Sequence, residues 1–120
     1  MAKKILLIDD DPDIAEVLRT TLSDQGYDVI TAENGENLDS LIENKPDLVL
    51  LDLKLGPGMS GSEICRKIKA HDVTRGLPVI LISADPEVDL VASICGANAA
   101  IQKPLDMGNL YNKIKKIMDN

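Results

Sequence analysis

The sequence contains almost no aromatic residues. Phe and Trp are absent, and Tyr27 and Tyr111 are the only tyrosines among 120 residues. The chain therefore lacks the aromatic platform on which proteins stack the bases of single-stranded nucleic acid. Basic residues are also outnumbered, with 13 Lys and Arg against 20 Asp and Glu and a net charge of −7. This charge opposes contact with a phosphate backbone, so no direct binding of nucleic acid is expected.

Cysteine, histidine and long apolar runs are scarce as well. Cys65 and Cys95 lie in helix-like segments without a metal-binding or redox spacing, which predicts reduced thiols in the core or near the surface. The single histidine, His71, lies in the polar stretch KAHDVTRG and is predicted to occupy a surface loop. No apolar run approaches the roughly 20 residues needed to cross a bilayer, so no membrane insertion is expected. The apolar residues after Lys3 and Lys4 give way to aspartates within four residues, unlike a signal peptide, and the predicted location is the cytoplasm.

What the sequence does contain is a regular alternation of apolar runs and helical periods. The apolar runs predict strands over residues 4–8, 27–31, 47–51, 78–82 and 99–102. Three of these runs are continuous rather than alternating, as in parallel strands covered on both faces. We therefore predict a single domain over residues 1–120 with an α/β, (βα)₅ fold, in which helices cover both faces of a parallel five-stranded sheet.

Local signals mark where the predicted helices begin and end. Asp11 is a plausible N-cap of the first helix, Pro12 suits its first turn, and Gly26 supplies its end. The predicted buried stripe of this helix consists of Ile14, Val17, Leu18, Thr21 and Leu22. The later helices are predicted over roughly residues 35–44, after the capping box that begins at Ser60, between Asp85-Pro86 and Gly96, and from Asp106 onward.

Polar side chains follow four of the five predicted strands. They are Asp9 and Asp10 after the first strand, Asp52 after the third, Ser83 after the fourth, and Lys103 with Pro104 after the fifth. Because the carboxyl ends of parallel strands border the binding crevice of such a sheet, these groups are expected at one rim. The rim would then hold three carboxylates, a hydroxyl and an amine.

This set of groups is suited to phosphoryl transfer. Three carboxylates in one crevice cannot all stay ionised cheaply, so either one is protonated or a hard divalent cation joins them. Mg²⁺ accepts carboxylate oxygens and keeps waters that phosphate oxygens can replace. The amine of Lys103 and the hydroxyl of Ser83 could contact the phosphoryl oxygens, and Asp52, flanked by apolar residues, is best placed as the nucleophile.

At these residues the chain resembles a response-regulator receiver domain of two-component signalling, similar to the chemotaxis receivers, along its whole length. The matching stretches are LLIDDD with Asp9 and Asp10, DLVLLDLKL with Asp52, VILISA with Ser83, and QKP with Lys103 and Pro104. The resemblance implies a doubly wound, flavodoxin-like sheet with strand order 2-1-3-4-5. It also implies a cis peptide between Lys103 and Pro104.

The resemblance further implies a function and its partners. A sensor histidine kinase, or a phosphotransfer protein, would donate a phosphoryl group from phosphohistidine to Asp52. Mg²⁺ would be held by Asp9, Asp10, Asp52 and the backbone carbonyl of Lys54, while Ser83 and Lys103 would contact the phosphoryl group. Members of this family catalyse the transfer themselves without being classical enzymes, often accept small phosphodonors, and signal by phosphorylation-dependent binding of a downstream protein. A homodimer through the fourth helix, fifth strand and fifth helix is a further expectation.

The sequence departs from the family pattern at two places. In the usual loop after the acceptor, a proline and then a glycine follow at fixed positions; here Pro57 and Gly61 each lie one place late, so the loop carries one extra residue. Receivers commonly have an aromatic residue three positions before the lysine, where this chain has Ala100. Leu105 also replaces an aromatic residue often seen after Lys-Pro. The aromatic half of the usual switch is therefore absent.

These departures keep other functions open. A degenerate receiver, acting as a phosphorylation-independent interaction module, is the main alternative. A hydrolase with an aspartyl-phosphate intermediate is less well supported, because Lys54 stands where such enzymes carry a second aspartate. Gly56, Gly58 and Gly61 resemble a phosphate loop, but no lysine follows at the required spacing, so we interpret them as turn residues. The pattern identifies neither the kinase nor the downstream partner.

Overall fold

The computed structural model describes residues 2–55 and 58–118. Gly56 and Pro57, in the loop predicted to carry one extra residue, lie outside the described residues. The strands are β1 (Lys4–Ile8), β2 (Asp28–Ala32), β3 (Leu48–Asp52), β4 (Val79–Ser83) and β5 (Ala99–Gln102). The helices are α1 (Pro12–Asp24), α2 (Leu38–Glu43), α3 (Gly61–Ala70), α4 (Val88–Cys95) and α5 (Met107–Met118). None of these helices has the length and apolar character of a membrane span.

The five strands form one parallel sheet in the order β2-β1-β3-β4-β5. This confirms the predicted doubly wound fold and its strand order. The strands β2, β3 and β4 each lie one residue later than the apolar runs that predicted them. For β3 and β4 the reason is that the ladder continues onto the polar end residues, since Asp52 is in register with Ile82 and Ser83 with Gln102. The sheet itself therefore positions these two side chains.

Two apolar clusters, one on each face of the sheet, explain why the central strands are continuously apolar. Alternate residues of one strand point to opposite faces, so Leu6 and Ile8 pack with α2, α3 and α4, whereas Ile5 and Leu7 pack with α1 and α5. Every residue of β3 and β4 is buried. The apolar pattern is thus a consequence of helices on both faces.

The helix signals are confirmed in part. The Asp11 carboxylate accepts hydrogen bonds from the backbone N–H groups of Asp13 and Ile14, as an N-cap should. Gly96 ends α4 with a left-handed φ of 86°. The predicted burial of Val17 was wrong, since Val17 is 60% exposed. It lies at the edge of the apolar stripe and lines a groove rather than packing against the sheet.

Candidate functional site

Three polar residues at the carboxyl rim of the sheet are buried. Asp9 is 2% exposed, Asp52 7% and Ser83 2%, whereas Asp10 is exposed to solvent. Each directly follows a run of at least four buried apolar residues, so the sheet carries the polar groups into a partly dry environment. Two buried carboxylates at one rim need compensating donors or cations.

Asp52 has two donors in the structure. Its Oδ1 accepts a hydrogen bond from the backbone N–H of Lys54 at 3.1 Å, and its Oδ2 accepts one from Lys103 Nζ, also at 3.1 Å. The same ammonium lies 4.0 Å from Asp9 Oδ2. One lysine therefore faces two buried carboxylates, which leaves the site with excess negative charge.

The pKa of Asp9 is shifted first by burial and then by its neighbours. Burial raises the pKa of its carboxyl from 3.8 to about 6, and the neighbouring Asp52 charge adds to the rise. The hydrogen bond from the Asp11 backbone N–H, at 2.9 Å, and the Lys103 ammonium oppose it without cancelling it. The ionised form of Asp9 is thus destabilised until another positive charge enters the site.

The remaining carboxylate completes a set that suits a divalent cation. One oxygen each of Asp9, Asp10 and Asp52 can lie within 4.8 Å of the others. Hard carboxylate oxygens in this number, two of them in buried residues, are the ligands that Mg²⁺ takes while it keeps several waters. The donor set therefore fits the ion that the sequence implied.

The Ser83 hydroxyl lies on the neighbouring strand. Its Oγ accepts a hydrogen bond from the Asp85 backbone N–H at 3.1 Å, and its backbone carbonyl accepts one from the Lys103 N–H at 2.8 Å. The peptide bond between Lys103 and Pro104 is cis, as predicted. The structure thus brings together the predicted site side chains of Asp9, Asp10, Asp52 and Lys103, and it places the fifth predicted residue, Ser83, beside them through its backbone bond to Lys103.

Comparisons with known proteins agree with this geometry. Residues 5–115 match the response regulator receiver domain family. The chain belongs to this family. A protein assigned as a response regulator from Chloroflexus aurantiacus is 30% identical over 100% of both chains, with a TM-score of 0.93. The receiver domain of a signal transduction histidine kinase from Syntrophus aciditrophicus is 33% identical, with 98% of this chain and 91% of that chain covered and a TM-score of 0.89. The response regulator TrrA from Thermotoga maritima, crystallised in complex with Mg²⁺–BeF, is 35% identical over 96% of this chain and 98% of that chain, with a TM-score of 0.84.

The departures of this receiver domain from its family pattern have visible consequences. Ala100 lies half-buried in β5 and packs against the cluster that includes α4, where its small side chain offers no ring to move. Lys54 and Asp85 form no ion pair in the described chain; the Asp85 carboxylate instead accepts a hydrogen bond from the Glu87 backbone N–H at 2.9 Å.

Gly61 has a role in this receiver domain that the sequence interpretation missed. Gly58, with a φ of 106°, is a turn glycine as interpreted, but Gly61 begins α3 next to the end of β3, the strand that carries Asp52. A Cβ there would overlap the carbonyl oxygen of Asp52 and come within 2.7 Å of Leu53 Cα. The Gly61 N–H also donates to the Leu53 carbonyl at 2.9 Å. Glycine is needed because the helix closely approaches the backbone of Asp52 and Leu53.

We expect Gly61→Ala to lower the free energy of unfolding by about 2–3 kcal/mol, because the added methyl group meets backbone atoms that cannot rotate away. Urea unfolding would measure this loss. Gly76→Ala is the matched control, since a Cβ at that position meets no atom within 4 Å. Equal urea midpoints for the two variants would contradict the close packing of α3 against the end of β3.

Proposed function

We propose that this receiver domain accepts a phosphoryl group on Asp52 from the phosphohistidine of a sensor histidine kinase or phosphotransfer protein, in the cytoplasm, and binds a downstream protein according to its phosphorylation. The supporting observation is the environment of Asp52: a buried carboxylate 3.1 Å from the Lys103 ammonium, with the carboxylates of Asp9 and Asp10 beside it. We assign residues 1–120 to one receiver domain.

In the proposed reaction a carboxylate oxygen of Asp52 attacks phosphorus. A P–O bond forms, the P–N bond to the donor imidazole breaks, and the leaving imidazole takes a proton from water. The backbone N–H of Lys54 holds Oδ1 of Asp52 and thereby orients the carboxylate. Lys103, already within hydrogen-bonding distance, moves its contact to the phosphoryl oxygens, and Ser83 offers its hydroxyl to the same group. The domain would catalyse this transfer on itself and is not a classical enzyme.

Magnesium is the proposed cofactor. Asp9, Asp10, Asp52 and the carbonyl of Lys54 would hold it, and when bound it would neutralise the charge that accumulates between carboxylate and phosphoryl oxygens. The Mg²⁺–BeF complex of the TrrA relative is consistent with this assignment. The raised pKa of Asp9 supports it too, because a carboxylate that lacks counter-charge gains most from a cation.

The phosphodonor must cover the rim to bring its imidazole to Asp52. Beside the rim, α1 and the residues after β5 form a mainly apolar groove of about 440 Å³, lined by Ile14, Val17, Pro104, Leu105 and Met107 and bordered by Lys103. Because this groove leads directly to the Lys103 side chain, we assign it to the kinase or phosphotransfer protein. The exposed Val17 is then a contact residue for that partner.

A second protein surface lies on α4. Leu90 and Ile94, one helical turn apart, are exposed although both are large and apolar. They support the proposal that the face formed by α4, β5 and α5 takes part in a homodimer or binds the downstream protein. Because β5 carries Ala100 instead of an aromatic residue, the effect of phosphorylation would be transmitted to this face by movement of α4.

The test of the proposed function is intact mass after incubation with acetyl phosphate and Mg²⁺. We expect one added phosphoryl group, absent in Asp52→Asn and absent when EDTA removes the cation. Both controls matter, since one tests the acceptor and the other the cofactor. An adduct that persists in Asp52→Asn would refute the acceptor. Failure to label, even with millisecond quenching, would favour the phosphorylation-independent interaction module.

A second prediction concerns how long the phosphoryl group lasts. Lys54 follows Asp52 by two positions and Asp85 follows Ser83 by two, so both flank the path of attacking water. If the two side chains pair over the phosphoryl group, they exclude that water. We expect Lys54→Ala and Asp85→Ala each to speed dephosphorylation several-fold, measured after removal of acetyl phosphate. Unchanged rates in both variants would contradict the ion pair.

A further inference from the structure

The two cysteines are 30 residues apart in sequence but adjacent in the fold. Cys65 lies in the middle of α3 and Cys95 at the last position of α4. Both are buried, and both belong to the same apolar cluster on one face of the sheet. The Cys65 thiol donates a hydrogen bond to the Cys95 carbonyl at 3.5 Å, and the Cys95 thiol donates one to the Ala92 carbonyl at 3.8 Å. Neither is used by the phosphoryl chemistry.

We propose that Cys65 and Cys95 form a disulfide bond that joins α3 to α4 when the protein meets a low-molecular-weight disulfide. The bond requires two cysteines held close together on neighbouring elements, and the 3.5 Å contact between the Cys65 thiol and the Cys95 backbone supplies that closeness without movement of the sheet. The inference does not rest on the proposed function, since it concerns neither Asp52 nor the cation site.

The chemistry is two successive thiol–disulfide exchanges. One cysteine thiolate attacks the reagent, which breaks the reagent S–S bond, forms a mixed disulfide and releases one small thiol. The second cysteine then displaces the other small thiol and forms the bond between Cys65 and Cys95. The protein loses two electrons and two protons, and the reagent gains them as two thiols.

The structure also predicts when this exchange occurs. Burial, and then the neighbouring Cys95 side chain, raise the pKa of Cys65 to about 12, so Cys65 is almost entirely a protonated thiol in the closed fold. Cys95 is the last residue of α4, Gly96 then turns the chain away, and α4 leaves Leu90 and Ile94 exposed. A helix held by few buried residues opens locally. Exchange should therefore begin from an opened α4, and the finished bond should hold that helix closed.

The experiment uses the unmodified chain in buffers of oxidised and reduced glutathione. One sample starts folded, and another starts in urea and is refolded in the same buffer, so that slow access cannot decide the result. Both samples are quenched with acid and alkylated with iodoacetamide under denaturing conditions, and the mass of the intact protein is then measured. Cys65→Ala and Cys95→Ala are the controls, because either removes the partner but leaves one thiol.

We expect a monomer two hydrogens lighter that takes no alkyl group, with peptides containing Cys65 and Cys95 joined, in the wild type alone. Because the bond closes a loop of 30 residues, the oxidised protein should also melt at a higher temperature than the reduced one, and dithiothreitol should reverse the difference. Two alkylated thiols in both samples, cross-links only between chains, or a lower melting temperature for the oxidised protein would each overturn the proposal.

Discussion

Replacing Asp9 with asparagine should make the cation-free protein more stable, by about 2 kcal/mol near pH 8. The pKa of Asp9 is about 6 in the folded protein against an ordinary value of 3.8, so folding works against ionisation of this carboxyl. The stabilising contribution of Asp9 is complete below pH 3.8, where it is protonated in both states, and is lost as the pH rises through 6. Asparagine keeps an oxygen for the Asp11 N–H but carries no charge.

The pH dependence separates this effect from other consequences of the substitution. The advantage of Asp9→Asn should be largest above pH 6 and should shrink toward zero as the pH approaches 4. Urea unfolding between pH 4 and 8, in EDTA, would measure it. Asp13→Asn is the matched control, since it removes an exposed carboxylate from the first turn of α1, four residues away. A variant less stable than wild type at pH 8 would refute the electrostatic account.

Magnesium should reverse the order of stability of the wild type and the Asp9→Asn variant. Added Mg²⁺ stabilises a folded protein according to its affinity for the folded state, and the wild type retains all three carboxylates. The Asp9→Asn variant lacks one of these carboxylates, so it should gain little stability from added Mg²⁺. The same substitution is thus expected to raise stability and to impair phosphorylation. Such a trade-off between stability and activity is typical of charged functional residues, because their charges destabilise the folded protein.

Much of this site was predictable because the order of the strands in the sheet determines which strand ends are neighbours in space. Once β1, β3, β4 and β5 were recognised as parallel neighbours, the residues that end them had to share one rim. The separation of 51 residues between Asp52 and Lys103 is no obstacle, since the topology brings their strand ends together. Single-residue errors in the strand bounds did not matter, because the polar residues lie at the carboxyl ends in either case.

Features that depend on packing between helices were not predictable in the same way. Gly61 looked like a turn glycine because the sequence does not indicate how closely α3 approaches the end of β3. Val17 fits a helical stripe, but the width of the buried surface is set by the neighbouring elements. The second helix begins at Leu38 rather than near residue 35, because the Asn34 side chain accepts from the Glu36 N–H and forms a local turn first. The Cys65–Cys95 contact likewise follows from how α3 and α4 pack.

The substitution Lys103→Met should have the opposite effect on stability from Asp9→Asn and a large effect on the reaction. It removes the ammonium that lies 3.1 Å from Asp52 and 4.0 Å from Asp9, so two buried carboxylates lose their shared counter-charge. Breaking a buried pair by removing one partner costs about 3–5 kcal/mol, and because Lys103 is partly exposed we expect about 2–3 kcal/mol. Urea unfolding in EDTA at pH 8 would measure the loss.

Labelling of the folded Lys103→Met protein by acetyl phosphate should slow by about 10–100-fold, since a hydrogen bond to a charged group contributes about 1.5–3 kcal/mol. Lys115→Met, which removes an exposed lysine from α5, is the control for net charge. If labelling rates per folded molecule matched in these two variants, Lys103 would be a structural counter-ion only.

The double variant Asp9→Asn with Lys103→Met tests whether both effects come from one electrostatic site. Lys103 balances two carboxylates, so with one already neutral its removal leaves one unpaired charge instead of two. The loss of stability caused by Lys103→Met should therefore be smaller in the Asp9→Asn background, by about 1 kcal/mol or more. Strict additivity would mean that the two residues do not interact, although the structure places them 4.0 Å apart. Labelling should not recover, because neutralising Asp9 replaces neither the lysine nor the lost ligand.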